Sequence, residues 1–330
     1  MTETRFDVVG IGNAIVDVLA HAEDELLDQL GLIKGAMTLI DDKTADAVYE
    51  TMGPAIECSG GSAANTIAGL ASLGGTAAFV GKVRDDQLGK VFAHDIRALG
   101  VSFETQPAAD GKSTARCLIL VTPDAERTMQ TYLGSCVELG PADINEETIA
   151  AAKITYLEGY LWDPAAAKEA FTKAAGLAHD AGRLVSLSLS DSFCVDRHRA
   201  EFLDLVESHV DVLFANEDEI KSLYQVDEFD DALQRVRGHC QVAALTRGAK
   251  GSVVIAGDEV HIVDADPVDH VADTTGAGDA YAAGFLYGFT RGDGLARCAH
   301  IGNIAAGEVI GHMGARPDTP LKDLLADKLG

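Results

Sequence analysis

The sequence predicts an α/β protein with a doubly wound, mostly parallel sheet flanked by helices, together with a small separate β-sheet. From about residue 154, short apolar segments alternate regularly with helical patterns, which is typical of successive βα units. In the first half, several β-like segments follow one another without intervening helices, which favours a second sheet. With 330 residues, the chain is long enough for one large unit. We therefore expect a single unit over 1–330, with a small sheet from segments near 14–21, 34–41 and 101–133.

The first half of the chain begins with two predicted strands. Residues 6–12 are a short apolar run ending in glycines, which predicts a buried strand. Gly10 and Gly12 do not complete a dinucleotide-binding fingerprint, because Ile15 stands where its third glycine belongs. Residues 15–20 alternate in polarity and predict the second strand. The other elements predicted up to residue 133 are helices at 23–30, 44–52, 62–73 and 87–99, and strands at 36–40, 76–80, 101–104, 114–121 and 128–133.

The second half carries the regular alternation. The predicted strands are 154–157, 184–187, 210–214, 242–245 and 251–255, and the predicted helices are 164–181, 197–208, 217–224, 230–238 and one near 280–288. Ligands of such sheets lie beyond the carboxyl ends of the strands, so the loops that follow them are the places to search. A different segment, 111–114, resembles the end of a phosphate-binding loop. Gln106 occupies the position of that loop's first glycine, and we expect a hairpin turn there.

Composition and charge exclude several classes of protein. The chain has 52 acidic and 26 basic residues, and its net charge of −26 repels nucleic-acid phosphates and anionic membranes. The six cysteines lack zinc or redox spacing, so we expect reduced, mostly buried thiols in a cytoplasmic protein. The N-terminal residues lack the pattern of a secretion signal, and no apolar run approaches the roughly 20 residues of a membrane helix. We therefore expect a soluble protein that binds neither nucleic acid nor membrane.

The stretch 273–280, with the sequence DTTGAGDA, carries the strongest chemical signal. Gly276, Ala277 and Gly278 are predicted to form a helix N-terminus whose N–H groups lack internal partners. Such an end binds phosphate, since the free donors and the positive end of the helix dipole point the same way. Asp279, in the first turn, is placed to accept the proton of an attacking hydroxyl in phosphoryl transfer. The alternative for so short a pattern is a glycine turn followed by an acidic first-turn residue.

Two further stretches have both a structural and a functional interpretation. Gly60 and Gly61 precede Ser62 and a helical pattern, where they form either a simple glycine turn or a second site of close backbone approach. Asn216 and Glu219 stand three residues apart at a predicted helix start. They form either a helix cap or a pair that reaches a hydrated cation or triphosphate oxygens. The sequence leaves both choices open.

Single polar residues near predicted strand ends are weaker candidates. Asp17 is either an exposed strand residue or a carboxylate for substrate hydroxyls. Thr246, Arg247 and Gly248 form a loop after an apolar strand, and Arg247 is equally well explained as a solvated charge. Arg127 precedes a predicted strand and is a candidate for contacting phosphate. The ten histidines form no metal-binding pattern.

Taken together, these motifs resemble the ribokinase/PfkB family of carbohydrate and nucleoside kinases. The stretch 273–280 resembles the family's C-terminal signature, and 58–65 resembles its N-terminal Gly-Gly signature. Residues 216–219 match its Asn-x-x-Glu motif, and 246–248 are similar to its Thr-x-Gly loop. The resemblance extends over nearly the whole chain. Within the family, the segment 12–17 is most similar to the kinases that act on adenosine.

The resemblance implies a Rossmann-like, ribokinase-like core with a small β lid that closes over the acceptor, and ATP with Mg²⁺ as cofactors. It implies transfer of the γ-phosphate of ATP to the ribose 5′-hydroxyl of adenosine, giving AMP and ADP. The alternative is a kinase of ribose, fructose or a ketodeoxy sugar. A potassium-type site near Asp273, Thr275 and Gly314 rests on the resemblance alone. The expected assembly is a monomer or homodimer whose partners are small molecules.

The resemblance also assigns roles to residues. Asp279 becomes the base, and Gly276, Ala277 and Gly278 become the anion hole. The residues assigned to the acceptor are Asn13, Asp17, Gly61, Ser62 and Asn65, with an aromatic wall from Tyr160 or Trp162. The residues assigned to the nucleotide are Asn216, Glu219, Thr246, Arg247, Gly248 and Arg127, with Asn216 and Glu219 reaching magnesium through water. These roles require that the two glycine turns face each other across one cleft.

Overall fold

The structure is a computed structural model that describes residues 3–124 and 126–329. The strands in these ranges are β1 (Phe6–Ile11), β2 (Ile15–His21), β3 (Met37–Leu39), β4 (Ala55–Gly60), β5 (Ala77–Val80), β6 (Ser102–Phe103), β7 (Ala115–Val121), β8 (Arg127–Tyr132), β9 (Ala152–Glu158), β10 (Leu184–Ser188), β11 (Val212–Asn216), β12 (Val242–Thr246), β13 (Ser252–Ala256) and β14 (Glu259–Val263). The α-helices are α1 (Asp24–Leu30), α2 (Asp42–Thr51), α3 (Ser62–Ser72), α4 (Gln87–Ala98), α5 (Glu146–Ala150), α6 (Ala165–Asp180), α7 (Ser192–Ser208), α8 (Glu217–Tyr224), α9 (Phe229–Val236), α10 (Ala277–Thr290), α11 (Leu295–Val309) and α12 (Leu321–Leu329).

The larger sheet has nine strands in the order β14-β13-β12-β11-β10-β9-β1-β5-β6. The seven strands β12, β11, β10, β9, β1, β5 and β6 are all parallel to one another. β13 and β14 extend the sheet beyond β12 as an antiparallel hairpin. Helices cover both faces: α6, α8 and α9 pack on one side, and α3, α10 and α11 pack on the other. Strands buried on both faces need apolar side chains at almost every position, which explains the continuous apolar runs in the sequence. The predicted doubly wound, mostly parallel sheet is confirmed.

The strand order of this sheet reverses at β1, which pairs with β5 on one side and β9 on the other. The chain therefore leaves β1 toward one half of the sheet and fills the other half later. In such sheets a crevice opens at the carboxyl ends of the strands where the strand order reverses. The carboxyl ends of β1, β9, β11 and β12 all border this crevice, which is where the site lies.

The smaller sheet, which we call the lid, has the order β3-β8-β7-β2-β4. In β2, Val16 and Val18 are buried while Ile15, Asp17 and Leu19 are partly exposed, as expected for a strand with one solvated face. The buried face shares a hydrophobic cluster with α2, α4 and the large sheet. The lid is therefore joined to the large sheet by packing as well as by the chain.

Several predictions about the first half were wrong in detail. β6 was expected in the small sheet, but it pairs with β5 in the large one, so the lid segment begins at β7. For the same reason the segment 111–114 does not close a hairpin. β4 was not predicted, and it completes the lid by pairing with β2. α7 begins at Ser192, before the predicted 197, because the side chain of Asp191 caps it by accepting from the N–H of Cys194.

All six cysteines, which lie within the described ranges, are unpaired thiols. Of the helices in the described part of the chain, none is long and apolar enough to cross a membrane.

Candidate active site

A cleft of about 1450 Å³ lies between the lid and the carboxyl ends of the large sheet. Among the predicted site residues, those that line it are Asn13, Asp17, Gly61, Ser62, Asn65, Arg127, Tyr160, Asn216, Glu219, Thr246, Gly248, Gly276, Ala277, Gly278 and Asp279. Arg247 is not part of the lining. Its guanidinium donates to Glu217, the first residue of α8, at 3.0 Å and stacks on Phe229, so its charge is paired outside the cleft lining.

The N-terminus of α10 forms one wall of the cleft. Gly276 caps this helix with φ of 77°, a conformation that favours glycine, and an added Cβ would lie 2.7 Å from Cα of Ala315. The N–H of Ala277 donates to the carbonyl of Thr274 at 3.2 Å, whereas those of Gly276, Gly278 and Asp279 meet no acceptor in the described residues. Free N–H groups at a helix start are suited to bind an anion. The anion hole was predicted to include the N–H of Ala277. In the structure the N–H of Asp279 is available in its place.

The side chain of Asp279 joins the two glycine turns. It accepts a hydrogen bond from Oγ of Ser62 at 2.6 Å and another from Nδ2 of Asn65 at 3.3 Å. Both donors lie in the first turn of α3, directly after Gly61. Burial raises the pKa of Asp279 to about 6, and the two hydrogen bonds act in the opposite direction. Within the described part of the chain this carboxylate forms no ion pair, so it can accept a proton from a ligand in the cleft.

A buried carboxylate that the sequence analysis did not assign holds the acceptor side of the cleft together. Glu158, at the end of β9, accepts from Nδ2 of Asn13 at 2.7 Å and from the backbone N–H of Asn13 at 3.3 Å. It also accepts from the N–H of Ala63 at 2.8 Å. Burial raises the pKa of Glu158 to about 7. One side chain thus ties the β1–β2 connection to the start of α3.

We expect Glu158→Gln to lower the free energy of unfolding by roughly 1–3 kcal/mol, because an amide NH₂ then faces a buried donor. Thermal and urea unfolding at pH 8, where the native carboxyl is ionised, measure this change. The matched control is Glu169→Gln on the exposed face of α6, which should alter stability by no more than about 0.5 kcal/mol. Equal stability of the two variants would contradict this role.

Asp17 projects from the lid strand β2 into the cleft. It lies in a cross-strand row between Cys58 of β4 and Cys117 of β7. Gly60 makes room for it, since an added Cβ there would meet the carboxylate at 2.3 Å. Burial raises the pKa of Asp17 to about 6, while Arg316 and Arg127 lower it. The exposed-strand alternative is not what the structure shows, because Asp17 is only partly exposed and lines the cleft.

Arg127 lies at the start of β8 and reaches across the cleft to Asp273. Its Nη1 donates to Oδ2 of Asp273 at 2.5 Å, while its Nε and Nη2 are buried without a partner in the described residues. The same carboxylate accepts from the N–H groups of Thr275 at 2.9 Å and Gly314 at 3.1 Å. These bonds join the lid to the turn that precedes α10 and leave two guanidinium donors available.

Asn216 and Glu219 form a complete capping box at the start of α8. Oδ1 of Asn216 accepts from the N–H of Glu219 at 2.9 Å, and Glu219 accepts from the backbone and side-chain nitrogens of Asn216 at 2.9 and 2.6 Å. Burial raises the pKa of Glu219 to about 7. Of the two interpretations that the sequence left open, the structure therefore shows the helix cap. Both residues also line the cleft, so a second role toward a ligand is compatible with the cap.

The predicted aromatic wall is divided between two environments. Tyr160 is 38% exposed and lines the cleft, with its N–H donating to Oγ of Ser190 at 3.0 Å. Trp162 is buried between Phe171 and Phe202, and its Nε1 donates to Glu201. Trp162 therefore belongs to the core, and its assignment as an alternative wall was wrong.

Arg316, in the loop between α11 and α12, is a second site residue that the sequence did not predict. Its Nε donates to Oδ1 of Asn65 at 3.3 Å and its Nη1 to Oδ2 of Asp95 at 3.2 Å. Its partners lie more than two hundred positions away in the chain, so no local pattern indicates the contact. The only sequence signal is an arginine soon after Gly314, in a loop that the motif at 273–280 brings to the cleft.

The protein offers few side chains that could coordinate a metal ion directly. In the part of the chain that the structure describes, no three His, Cys, Asp or Glu side chains are grouped to hold a metal. Magnesium in phosphoryl-transfer sites is held largely by phosphate and water, with one or two carboxylates. Asn216 and Glu219, which bond each other and also line the cleft, could contact such a magnesium ion through its water ligands.

The cleft combines an anion-binding helix N-terminus with a carboxylate that can accept a proton, and both lie under a lid. This combination is suited to the transfer of a phosphoryl group to an alcohol. The chain belongs to the pfkB family of carbohydrate kinases, whose model matches residues 51–322. The family assignment made from the motifs is confirmed, and with it an ATP-dependent phosphotransferase.

Three similar proteins illustrate the range of the family. The crystal structure of adenosine kinase from Sinorhizobium meliloti is 53% identical, with a TM-score of 0.91, over 99% of this chain and 100% of that one. That of a probable sugar kinase protein from Rhizobium etli CFN 42 is 52% identical, with a TM-score of 0.91, over 98% and 99%. The ATP-dependent ribose-1-phosphate kinase of Halopiger xanaduensis is 32% identical over 278 residues, 82% of this chain and 86% of that protein.

Proposed function

We propose that this chain transfers the γ-phosphoryl group of ATP to the 5′-hydroxyl of adenosine, giving AMP and ADP. The observation that carries the proposal is the position of the Asp279 carboxylate, between the free N–H groups of α10 and the donors of α3. Similarity to an adenosine kinase over the whole chain supports the choice of acceptor.

In this proposal, Asp279 aligns the attacking hydroxyl and accepts its proton as the bond to phosphorus forms. The N–H groups of Gly276, Gly278 and Asp279 donate to the oxygens of the phosphoryl group, where charge is concentrated during transfer. Arg127 contributes its free guanidinium donors from the lid side. Closure of the lid excludes water, which would otherwise compete with the acceptor for the phosphoryl group.

A cross-strand row of the lid supports a nucleoside acceptor. The row consists of Ile56, Leu19, Ile119, Met129 and Met37, one residue from each of the five strands. All five side chains are apolar and line the cleft beside the row that contains Asp17. A purine base offers an apolar face to such a surface, whereas a free sugar presents hydroxyls that the row cannot satisfy. Asp17, Asn13 and Asn65 would then hold the ribose hydroxyls.

The nucleotide side is assigned to the loops after β11 and β12. Thr246 and Gly248 line the cleft next to Asn216 and Glu219, and would hold ATP against the sheet. Magnesium, when bound, offsets the charge of the triphosphate and is reached by Asn216 and Glu219 through water. A potassium-type ion beside Asp273, Thr275 and Gly314 belongs to the same proposal, with backbone carbonyls as its ligands, because the Asp273 carboxylate already has three donors.

We expect Glu219→Gln to raise the Mg²⁺ concentration needed for half-maximal activity by about tenfold and to lower the free energy of unfolding by about 1–3 kcal/mol. The glutamine oxygen can still accept from the backbone N–H of Asn216, but its NH₂ then faces Nδ2 of Asn216, so one bond of the capping box is lost together with the negative charge. Magnesium titrations at saturating ATP, alongside thermal melting, separate the two effects. Glu217→Gln is the control, because it removes a negative charge from the same first turn of α8 at a position outside the cleft lining. An unchanged magnesium requirement would leave Glu219 as a cap only.

The second candidate is a kinase of sugars or sugar phosphates. The similarity to a probable sugar kinase and to a ribose-1-phosphate kinase favours it. ADP release is measured with adenosine, ribose, fructose, a ketodeoxy sugar and ribose 1-phosphate, each with K⁺ and with choline in its place. We expect the highest kcat/KM with adenosine and stimulation by K⁺. A higher kcat/KM with any sugar or sugar phosphate overturns the adenosine assignment.

The cellular setting remains part of the proposal. The six unpaired thiols are compatible with the reducing cytoplasm that the sequence predicts. A monomer or homodimer stays a prediction, and the net charge of −26 argues against nucleic acid as a partner.

A further inference from the structure

Arg316 is a partly buried arginine of the cleft to which the proposed mechanism gives no role. Its side chain is 18% exposed and lies in the loop after α11, within the cleft lining. Two of its nitrogens are bonded, one to Asn65 and one to Asp95. The Asp95 carboxylate is itself fixed, since the backbone and side chain of Ser59 donate to it at 2.8 and 2.5 Å. Arg316 is thus held from behind while it contacts an acceptor-site residue in front.

The contact with Asn65 determines which way the amide of Asn65 points. An arginine has donors and no acceptor, so only Oδ1 of Asn65 can face it. Nδ2 must then face the opposite direction, where it donates to Oδ2 of Asp279. In the flipped amide, Oδ1 would oppose the carboxylate and Nδ2 would oppose the guanidinium. The series of hydrogen bonds that links Asp95, Arg316, Asn65 and Asp279 therefore has a single favourable orientation of the Asn65 amide.

The third guanidinium nitrogen is the second observation. Nη2 of Arg316 is buried and has no partner among the described residues. A buried donor left without an acceptor is costly, which indicates that a ligand supplies one. Arg316 lines the same cleft as Asp17, and its positive charge lowers the pKa of that carboxylate. The free donor is therefore near the place where an acceptor hydroxyl would bind.

We propose that Arg316 is a positioning residue of the acceptor site, which orients the Asn65 amide toward Asp279 and presents Nη2–H to a hydroxyl of the bound acceptor. The inference rests on the proposed function and extends it to a residue outside the motifs.

The test compares Arg316→Met and Arg316→Lys with the wild-type enzyme, using whichever acceptor the wild-type enzyme phosphorylates. We expect Arg316→Met to lower kcat by about tenfold to a hundredfold, since misplacing a reacting group costs factors of that size. Lysine keeps the charge and one donor, so Arg316→Lys should recover part of the loss. The matched control is Arg116→Met. Arg116 is 11% exposed and also has a buried free nitrogen, but it pairs with Asp42 and Asp46 outside the cleft.

Two readouts separate positioning from a general structural effect. In an Asn65→Ala background, Arg316→Met should lower kcat by no more than about threefold, because the contact that orients Asn65 is already absent and only the donor to the acceptor hydroxyl is lost. The acid limb of kcat/KM should also move to higher pH in Arg316→Met. Losing the arginine charge raises the pKa of Asp17, and losing the Asn65 bond raises that of Asp279. The neighbouring groups Glu158, Glu219 and Arg127 are unchanged in this comparison.

The outcomes distinguish the two proposals. If the wild-type enzyme does not phosphorylate adenosine, the proposed function fails, and Arg316 is tested on the acceptor that is used. If the wild-type enzyme is active and Arg316→Met behaves like Arg116→Met, or costs as much in the Asn65→Ala background, the positioning role is wrong. Should Arg316→Met not fold, Arg316→Lys carries the test: because lysine lacks the guanidinium fork that bonds Asn65 and Asp95, a wild-type kcat in this variant overturns the inference.

Discussion

Asp279→Asn should lower kcat by about a hundredfold or more while leaving the affinity for the acceptor nearly unchanged. The asparagine keeps the size of the side chain and can still accept from Ser62 through its oxygen, so the turn between α3 and α10 is preserved. It cannot take a proton from the attacking hydroxyl, and loss of a general base costs about 10²–10⁴ in rate. Steady-state kinetics for turnover and calorimetry for acceptor binding measure the two quantities separately.

The control for this prediction is Asp293→Asn, in the turn at the far end of α10, where no ligand role is assigned. It should retain full turnover. The wild-type enzyme should also lose kcat/KM as the pH falls through about 6, because the raised pKa of Asp279 means that its carboxylate becomes protonated there. Near-normal turnover of Asp279→Asn would remove this residue from the role of base.

Gly61→Ala should damage both stability and catalysis. Gly61 has φ of 98° and ψ of 142°, a backbone conformation that residues other than glycine rarely adopt. An added Cβ would also lie 2.1 Å from the carbonyl oxygen of Asn13. Backbone strain and overlap together should lower the free energy of unfolding by about 2–5 kcal/mol. Relief of the overlap moves Asn13 or Ser62, so kcat should fall at least about tenfold. Urea unfolding and steady-state kinetics at a temperature where the variant is folded measure these effects.

Gly100→Ala provides the matched control for Gly61. Gly100 also has a positive φ, of 83°, but an added Cβ there has no neighbour within 4 Å. This control isolates the cost of backbone strain, which is about 1–2 kcal/mol, and should leave kcat unchanged. If Gly61→Ala is no worse than Gly100→Ala in both measurements, the contact between Gly61 and Asn13 does not organise the site.

The motifs at 58–65 and 273–280 were readable because each is local. Glycines next to a helical pattern define a helix N-terminus wherever the helix packs, and alternation of apolar segments defines a doubly wound sheet. The same local rules did not find β4, because its pairing with β2 depends on an edge formed elsewhere. They also placed β6 in the wrong sheet, because two residues of β structure pair with whichever edge is available.

What the sequence by itself determined is therefore the fold class, the family, and the residues whose chemistry depends on their immediate neighbours in the chain. Only the tertiary structure decided that Asn216 and Glu219 cap a helix, that Arg247 lies outside the cleft, and that Glu158 and Arg316 belong to it. A local motif positions its own backbone donors through short-range geometry. A buried side chain takes its partners from whichever distant elements the packing of the whole chain brings within hydrogen-bond distance.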